Sequence, residues 1–153
     1  MMREPKMKGD AVEALLVEDD PAHAELIVRG LRDNWVANRI HHVLDGEAAL
    51  DCLFRRGAYA NAMKSPVPHL ILLDLRLPRI DGLEVLKEIK GDVRLRRIPV
   101  VVLTNSEGER DVVRAYENHV NSYLVKPVNF EQFGKLMQDL DFYWLAWNQH
   151  PWG

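Results

Sequence analysis

His69-Leu70-Ile71-Leu72-Leu73-Asp74 is the stretch on which the reading of this chain turns. Its unbroken apolar run shows no alternation between a wet and a dry face, so it reads as a strand covered on both sides, as in a parallel sheet sandwiched by helices. It then stops at a carboxylate. Other runs end in the same way: Ala14-Leu15-Leu16-Val17 meets Glu18-Asp19-Asp20, Val100-Val101-Val102-Leu103 meets Thr104, and Tyr123-Leu124-Val125 meets Lys126-Pro127. A shorter strand spans about Arg39 to Leu44 and leads into Asp45-Gly46. Helical patterns separate the strands. The first follows the cap-type Asp20 with Pro21 at its first position and carries Ala24, Ile27, Val28 and Leu31; the second carries Ala49, Leu50, Leu53 and Phe54 and closes at Gly57. The third runs from about Gly82 to Lys90 with Gly91 as its stop, the fourth sets Val112, Val113, Tyr116 and Val120 on one stripe, and the fifth and longest starts near Asn129. Five βα units of the α/β class are expected.

The chain has 153 residues, which fits one domain able to bury a real core. A net charge of -3 and a pI near 6.1 argue against direct nucleic-acid binding, which favours a basic face. Arg94, Arg96 and Arg97 cluster, but read as a solvated helix-to-strand turn. The single cysteine, Cys52, lies among leucines and reads as an inert packed thiol in a reducing cytosol. No apolar run is long enough to span a membrane. Residues 1–10 lack the apolar segment of a secretory signal and read as a flexible tail, as do residues 148–153. Gly57 to Pro68 is the one long candidate loop.

In an open α/β sheet, ligands sit beyond the carboxyl ends of the strands, so Glu18, Asp19, Asp74, Thr104 and Lys126 should converge. Carboxylates held so close repel unless their pKa values rise or a cation neutralises them. Mg²⁺ suits the set, because it takes one or two carboxylates, keeps waters and accepts phosphate oxygens. Lys126 adds positive charge and Thr104 a hydroxyl that can meet an oxygen of the bound group. A carboxylate placed like Asp74 can attack phosphorus and form an aspartyl phosphate. Asp20 reads as a helix cap rather than a metal ligand. Adjacent on a strand, His41 and His42 point to opposite faces and cannot chelate one ion. His69 and His119 are isolated, and packing or solvation accounts for them.

Taken in order, Glu18-Asp19-Asp20-Pro21, Asp74-Leu75-Arg76-Leu77-Pro78 with Asp81-Gly82, Thr104, and Lys126-Pro127 resemble the receiver domains of bacterial response regulators. The spacings agree: 30 residues from Asp74 to Thr104 and 22 from Thr104 to Lys126. The resemblance covers about Ala14 to Trp144. It implies a flavodoxin-like, doubly wound, five-stranded parallel sheet of order 2-1-3-4-5 with five helices, over residues 11–147. It further implies phosphorylation of Asp74 by a sensor histidine kinase, with Mg²⁺ held by Asp19, Asp74, the backbone carbonyl of Arg76 and, through water, Glu18. A cis peptide between Lys126 and Pro127 is implied too, and Thr104 and Tyr123 become a coupled switch. A closer likeness, carried by His119-Val120-Asn121-Ser122-Tyr123, by Phe142-Tyr143-Trp144-Leu145 and by the loop after Phe54-Arg55-Arg56-Gly57, is to the single-domain regulators that partner bacterial phytochromes. That likeness makes a bacterial phytochrome the candidate kinase. The chain departs from the family pattern at Asn105, where a small residue is common, at Arg76, which sets a long cation at the rim, and at Glu18, which replaces the more usual Asp.

The expectation is a stand-alone cytoplasmic response regulator, not an enzyme acting on outside substrates. A haloacid-dehalogenase-type phosphatase needs a second acid two residues after the nucleophile, where this chain has Arg76. A flavin binder needs a phosphate cradle after the first strand, where Glu18-Asp19-Asp20 would repel phosphate. The remaining rivals are a phosphorylation-independent scaffold and a phosphorelay intermediate. Along the last helix, Phe130, Phe133, Met137, Leu140, Trp144 and Trp147 form an apolar stripe, and Phe142, Tyr143 and Leu145 fall off it. One docking face cannot bury both sets, so a two-fold homodimer through Phe142, Tyr143, Trp144 and Leu145 is expected. Sedimentation should show a dimer at micromolar concentration that the double substitution Tyr143→Ala, Trp144→Ala disperses; a monomeric wild type, with and without a phosphoryl mimic, would refute the dimer.

Overall fold

A computed structural model describes residues 13–33, 39–60, 67–104, 122–126, 129 and 131. One parallel sheet holds β1 (Glu13–Val17), β2 (Arg39–Val43), β3 (Leu70–Asp74), β4 (Val100–Thr104) and β5 (Ser122–Val125), in the order β2-β1-β3-β4-β5. The order and the parallel pairing agree with the doubly wound sheet expected from the strand runs and the family resemblance. Helices α1 (Pro21–Asp33), α2 (Gly46–Phe54) and α3 (Gly82–Gly91) are the described three of the five expected. The stripe at 112–120, the fifth helix beyond Glu131 with Phe142, Tyr143, Trp144 and Leu145, and Asn105, His119 and Pro127 lie outside the described residues, as do the two tails.

Strand periodicity sorts the apolar runs onto two faces. Leu15, Val17, Ile71, Leu73, Val100 and Val102 pack against α2 and α3, joined by Ala49, Leu50, Leu53, Val85, Leu86 and Ile89. Their neighbours in sequence, Ala14, Leu16, Leu70, Leu72, Val101 and Leu103, meet Ala24, Ile27 and Leu31 of α1 on the opposite face. β3 and β4 are buried at every position, which is why their sequences show no polar alternation. Each such side chain contributes about 1.5–3 kcal/mol when fully removed from water. That driving force holds the strand ends in register.

Short polar residues start the helices at the carboxyl end of the sheet. The Asp20 side chain accepts from the N–H groups of Ala22 (2.9 Å) and His23 (3.2 Å), Asp45 from Ala48 (2.7 Å), and Asp81 from Leu83 (3.2 Å). Two expected stops shift. α2 ends at Phe54, and its left-handed cap is Arg55 (φ 58°), whose N–H reaches back into the last turn, so the chain turns before Gly57. Gly57 instead opens a 3-10 turn, Gly57–Tyr59, at the start of the expected long loop. Gly91 is the last residue of α3, and Asp92 is the cap. β2 stops at Val43, leaving Leu44 exposed. Arg94, Arg96 and Arg97 are exposed on the turn between α3 and β4. Cys52 is half-buried against the α2–α3 core, and burial pushes its thiol pKa up, which disfavours the reactive thiolate.

Gly82 clamps α3 to the end of β3. Its N–H donates to the Leu75 carbonyl (3.1 Å), and a Cβ there would lie 2.5 Å from the Asp74 carbonyl oxygen and 2.6 Å from Leu75 Cα. Those neighbours are backbone and cannot swing aside. Gly82→Ala should therefore destabilise the protein by about 2–3 kcal/mol in urea unfolding, as overpacking does, against at most about 1 kcal/mol of helix propensity gained. A variant as stable as wild type would show that this close approach is not a constraint.

Candidate functional site

The strands end level with one another because the ladder continues one residue past each. Glu18 N–H donates to the Val43 carbonyl (3.1 Å), Leu75 N–H to Leu103 (3.1 Å) and Lys126 N–H to Thr104 (2.7 Å). Among the described residues, the buried polar or charged side chains are Glu18, Asp74 and Thr104, all at this one edge of the sheet. Burying a charge is costly unless it is paired. Here Lys126 supplies the partner. Its Nζ lies 3.0 Å from Asp74 Oδ2 and 2.9 Å from Glu18 Oε1, with only 8% of the lysine side chain exposed.

The two carboxylates are held differently. Asp74 Oδ2 accepts from Lys126, and Oδ1 accepts from the Arg76 N–H (3.1 Å). Glu18 Oε2 accepts from the Asp20 N–H (3.2 Å), whereas Oε1 faces the ammonium as a close charge pair without an aligned hydrogen bond. Exposed Asp19 completes the group: Glu18, Asp19 and Asp74 each bring an oxygen within 4.8 Å of the others. Among the described residues, three carboxylates cluster beside the Lys126 ammonium, and one buried carboxylate oxygen has no aligned donor. That surplus of negative charge and hard oxygen fits a divalent cation.

Burial pushes the Asp74 carboxyl up to about 6; the Glu18 charge adds to the rise, while the Lys126 and Arg76 hydrogen bonds oppose it. Burial pulls the Lys126 ammonium down, but its pairing with Glu18 and Asp74 outweighs this and its pKa rises. Asp20 is lowered, first by the His23 N–H.

Of the residues singled out from sequence, Glu18, Asp19, Asp74 and Lys126 come together. Thr104 is buried at the end of β4, where it pairs with Val125. Tyr123 sits opposite Val102 and is half-buried against the α2–α3 core. Arg76 is exposed at the rim. Asp20 caps α1 and lies outside the carboxylate cluster. His41 and His42 do face opposite ways, His41 to the Tyr59 hydroxyl (2.9 Å) and His42 to the Glu18 carbonyl (2.7 Å). Two site neighbours escaped the sequence reading. His42 Nε2, as donor, holds the backbone of the acidic turn, and His23 Nδ1 lies 3.3 Å from Lys126 Nζ. Position alone offered a faint signal, since His23 falls in the first turn of α1, at the strand-end edge of the sheet.

The response regulator receiver domain, as a family, matches residues 14–138. The chain belongs to that family. This receiver is 48% identical over 149 residues to the probable methanogenesis regulatory protein FilR2 of Methanothrix harundinacea, covering 94% of each chain. It resembles the bacteriophytochrome response regulator AtBRR (TM-score 0.78, 48% identity, 86% of this chain and 94% of that one). It also resembles the Mn²⁺-bound form of response regulator Rcp1 (TM-score 0.71, 46% identity, 88% and 94%). The phytochrome-associated regulators suspected from sequence are thus among its relatives. No helix among the described residues is long and apolar enough to cross a membrane.

In the folded receiver without added cation, the Asp74 carboxyl carbon should titrate near pH 6 by NMR, against an ordinary value of 3.8. The folded state then holds this proton more tightly than the unfolded chain. Asp74 therefore favours folding most below its ordinary pKa and loses that contribution as pH rises to about 6. Lys126→Met should move the midpoint higher and Glu18→Gln lower. A wild-type midpoint below 5 would show that burial does not dominate this carboxyl.

Proposed function

We propose that this receiver is a stand-alone cytoplasmic response regulator that takes a phosphoryl group onto Asp74 from a sensor histidine kinase, with Mg²⁺ bound, and so changes which proteins it binds. The observation that carries this reading is the setting of Asp74: a buried strand-end carboxylate gripped by the Lys126 ammonium and the Arg76 N–H, beside Glu18 and Asp19. The chain covers 94% of the length of FilR2, of AtBRR and of Rcp1, which supports a single-domain regulator. Likeness to a bacteriophytochrome response regulator supports a phytochrome-class kinase as partner.

The ionised Asp74 carboxylate attacks phosphorus. A P–O bond forms to Asp74 as the P–N bond of the donor phosphohistidine breaks, and the departing imidazole nitrogen keeps the electron pair and takes up a proton. Lys126, already against Asp74, offsets the negative charge carried by the phosphoryl oxygens. Asp19, Asp74, the Arg76 backbone carbonyl and, through water, Glu18 would hold Mg²⁺, whose charge would further neutralise the phosphoryl oxygens. Thr104 turns its hydroxyl to the phosphoryl group, and Tyr123, on the neighbouring strand opposite Val102, moves into the vacated space. Phosphorylation stabilises only that arrangement and so shifts the population towards it. The β5 edge and a C-terminal-helix homodimer are the surfaces that read the change. With exposed Arg76 in place of a second acid, the site turns over its own phosphoryl group rather than outside substrates.

Acetyl phosphate with Mg²⁺ should add one phosphoryl group by intact mass, and Asp74→Asn or a chelator should abolish the addition. Lys126→Ala should keep the fold and lose the phosphorylation-dependent change in Tyr123 fluorescence or chemical shift. Undiminished labelling of Asp74→Asn would place the acceptor elsewhere.

A further inference from the structure

We infer that His23 is a positioning residue that sets where the Lys126 ammonium sits. This deepens the proposed phosphoacceptor reading and rests on it, since the value of a positioned ammonium lies in meeting the phosphoryl group on Asp74. A lysine ammonium has three N–H donors and accepts nothing. Among the described residues, Lys126 Nζ meets two hydrogen-bond partners, Asp74 Oδ2 at 3.0 Å and His23 Nδ1 at 3.3 Å, and pairs by charge alone with Glu18 Oε1 at 2.9 Å. The two carboxylate oxygens are on the buried side. The histidine nitrogen comes from α1 and closes the side facing solvent, with 47% of the His23 side chain exposed.

An atom that faces an ammonium at that distance must accept, so Nδ1 presents its lone pair and the ring proton belongs on Nε2. The carboxylates nearest to Nδ1, Glu18 Oε2 and Asp20 Oδ2, are each 3.8 Å away, too far to compete as hydrogen-bond partners. The histidine is well placed to be a fixed wall: its backbone N–H is tied to Asp20 Oδ1 (3.2 Å) in the first turn of α1. Lysine, by contrast, is long and has much rotamer freedom. Without the His23 acceptor, the N–H that meets it turns to water and the ammonium is drawn outward, away from Asp74. His23 thus sets the depth of the lysine rather than touching the reacting atoms.

The test compares acetyl phosphate labelling rates at saturating Mg²⁺ in wild type, His23→Ala and His23→Asn. Asparagine places a carbonyl oxygen near the Nδ1 position and keeps the acceptor. His23→Ala should slow labelling by roughly three- to tenfold, the worth of one partly exposed hydrogen bond, and His23→Asn should recover most of the rate. Independently of phosphorylation, ¹⁵N NMR of the wild-type ring should show Nδ1 as the unprotonated nitrogen, with a shift that moves in Lys126→Met. A labelled wild type whose Ala variant reacts at the same rate, or a protonated Nδ1, would overturn the role of His23 alone. A wild type that takes no label would instead remove the phosphoacceptor reading, and this role with it, even if the nitrogen spectrum shows the contact.

Discussion

A single ammonium between two buried carboxylates is the interaction that the rest of this structure is arranged to hold. Lys126 touches Glu18 and Asp74 at about hydrogen-bond distance, yet the three residues end three different strands of the sheet. Removing two carboxylates from water costs several kcal/mol each, and one ammonium offsets only part of that. The sheet must therefore hold its strand ends level and close. It does so through the apolar runs behind them, which are buried on both faces, and through ladder bonds that continue past each end. Gly82, pressed on the Asp74 and Leu75 backbone, and the caps Asp20, Asp45 and Asp81 belong to the same requirement.

The arrangement is poor value for stability and well suited to chemistry. A well-packed apolar trio would be at least as stable as such an ion cluster. What the cluster provides is a carboxylate whose desolvation and lysine contact pull in opposite directions, leaving Asp74 near 6 and its negative charge only partly compensated. Asp19, exposed at the mouth, adds to the deficit on the solvent side. On the proposed reading, an incoming cation would meet oxygen ligands that lack enough positive charge, and a phosphoryl group on Asp74 would meet an ammonium already beside it.

Local patterns carried the fold. The uninterrupted runs at 70–73 and 100–103 read as central strands because nothing in them tolerates a wet face, and Asp20-Pro21 read as a helix start because cap chemistry is decided within a few residues. The stop of α2 was misplaced for the complementary reason. Gly57 does take a left-handed conformation (φ 55°), but Arg55 takes one two residues earlier, with its N–H bonded back to the last turn of the helix.

By itself, the sequence determined which residues are apolar, where each run stops, and that carboxylates, a hydroxyl and a lysine stand at the stops; these are properties of neighbours in the chain. Only the tertiary structure decided the partners across the sheet. His23 and Lys126 are 103 positions apart, and His42 and Glu18 are 24, so neither contact leaves a periodicity that a linear reading can detect. The 3.0 Å from Lys126 to Asp74 has the same origin: it is set by strand order and register, which arise when two faces of one sheet are buried together.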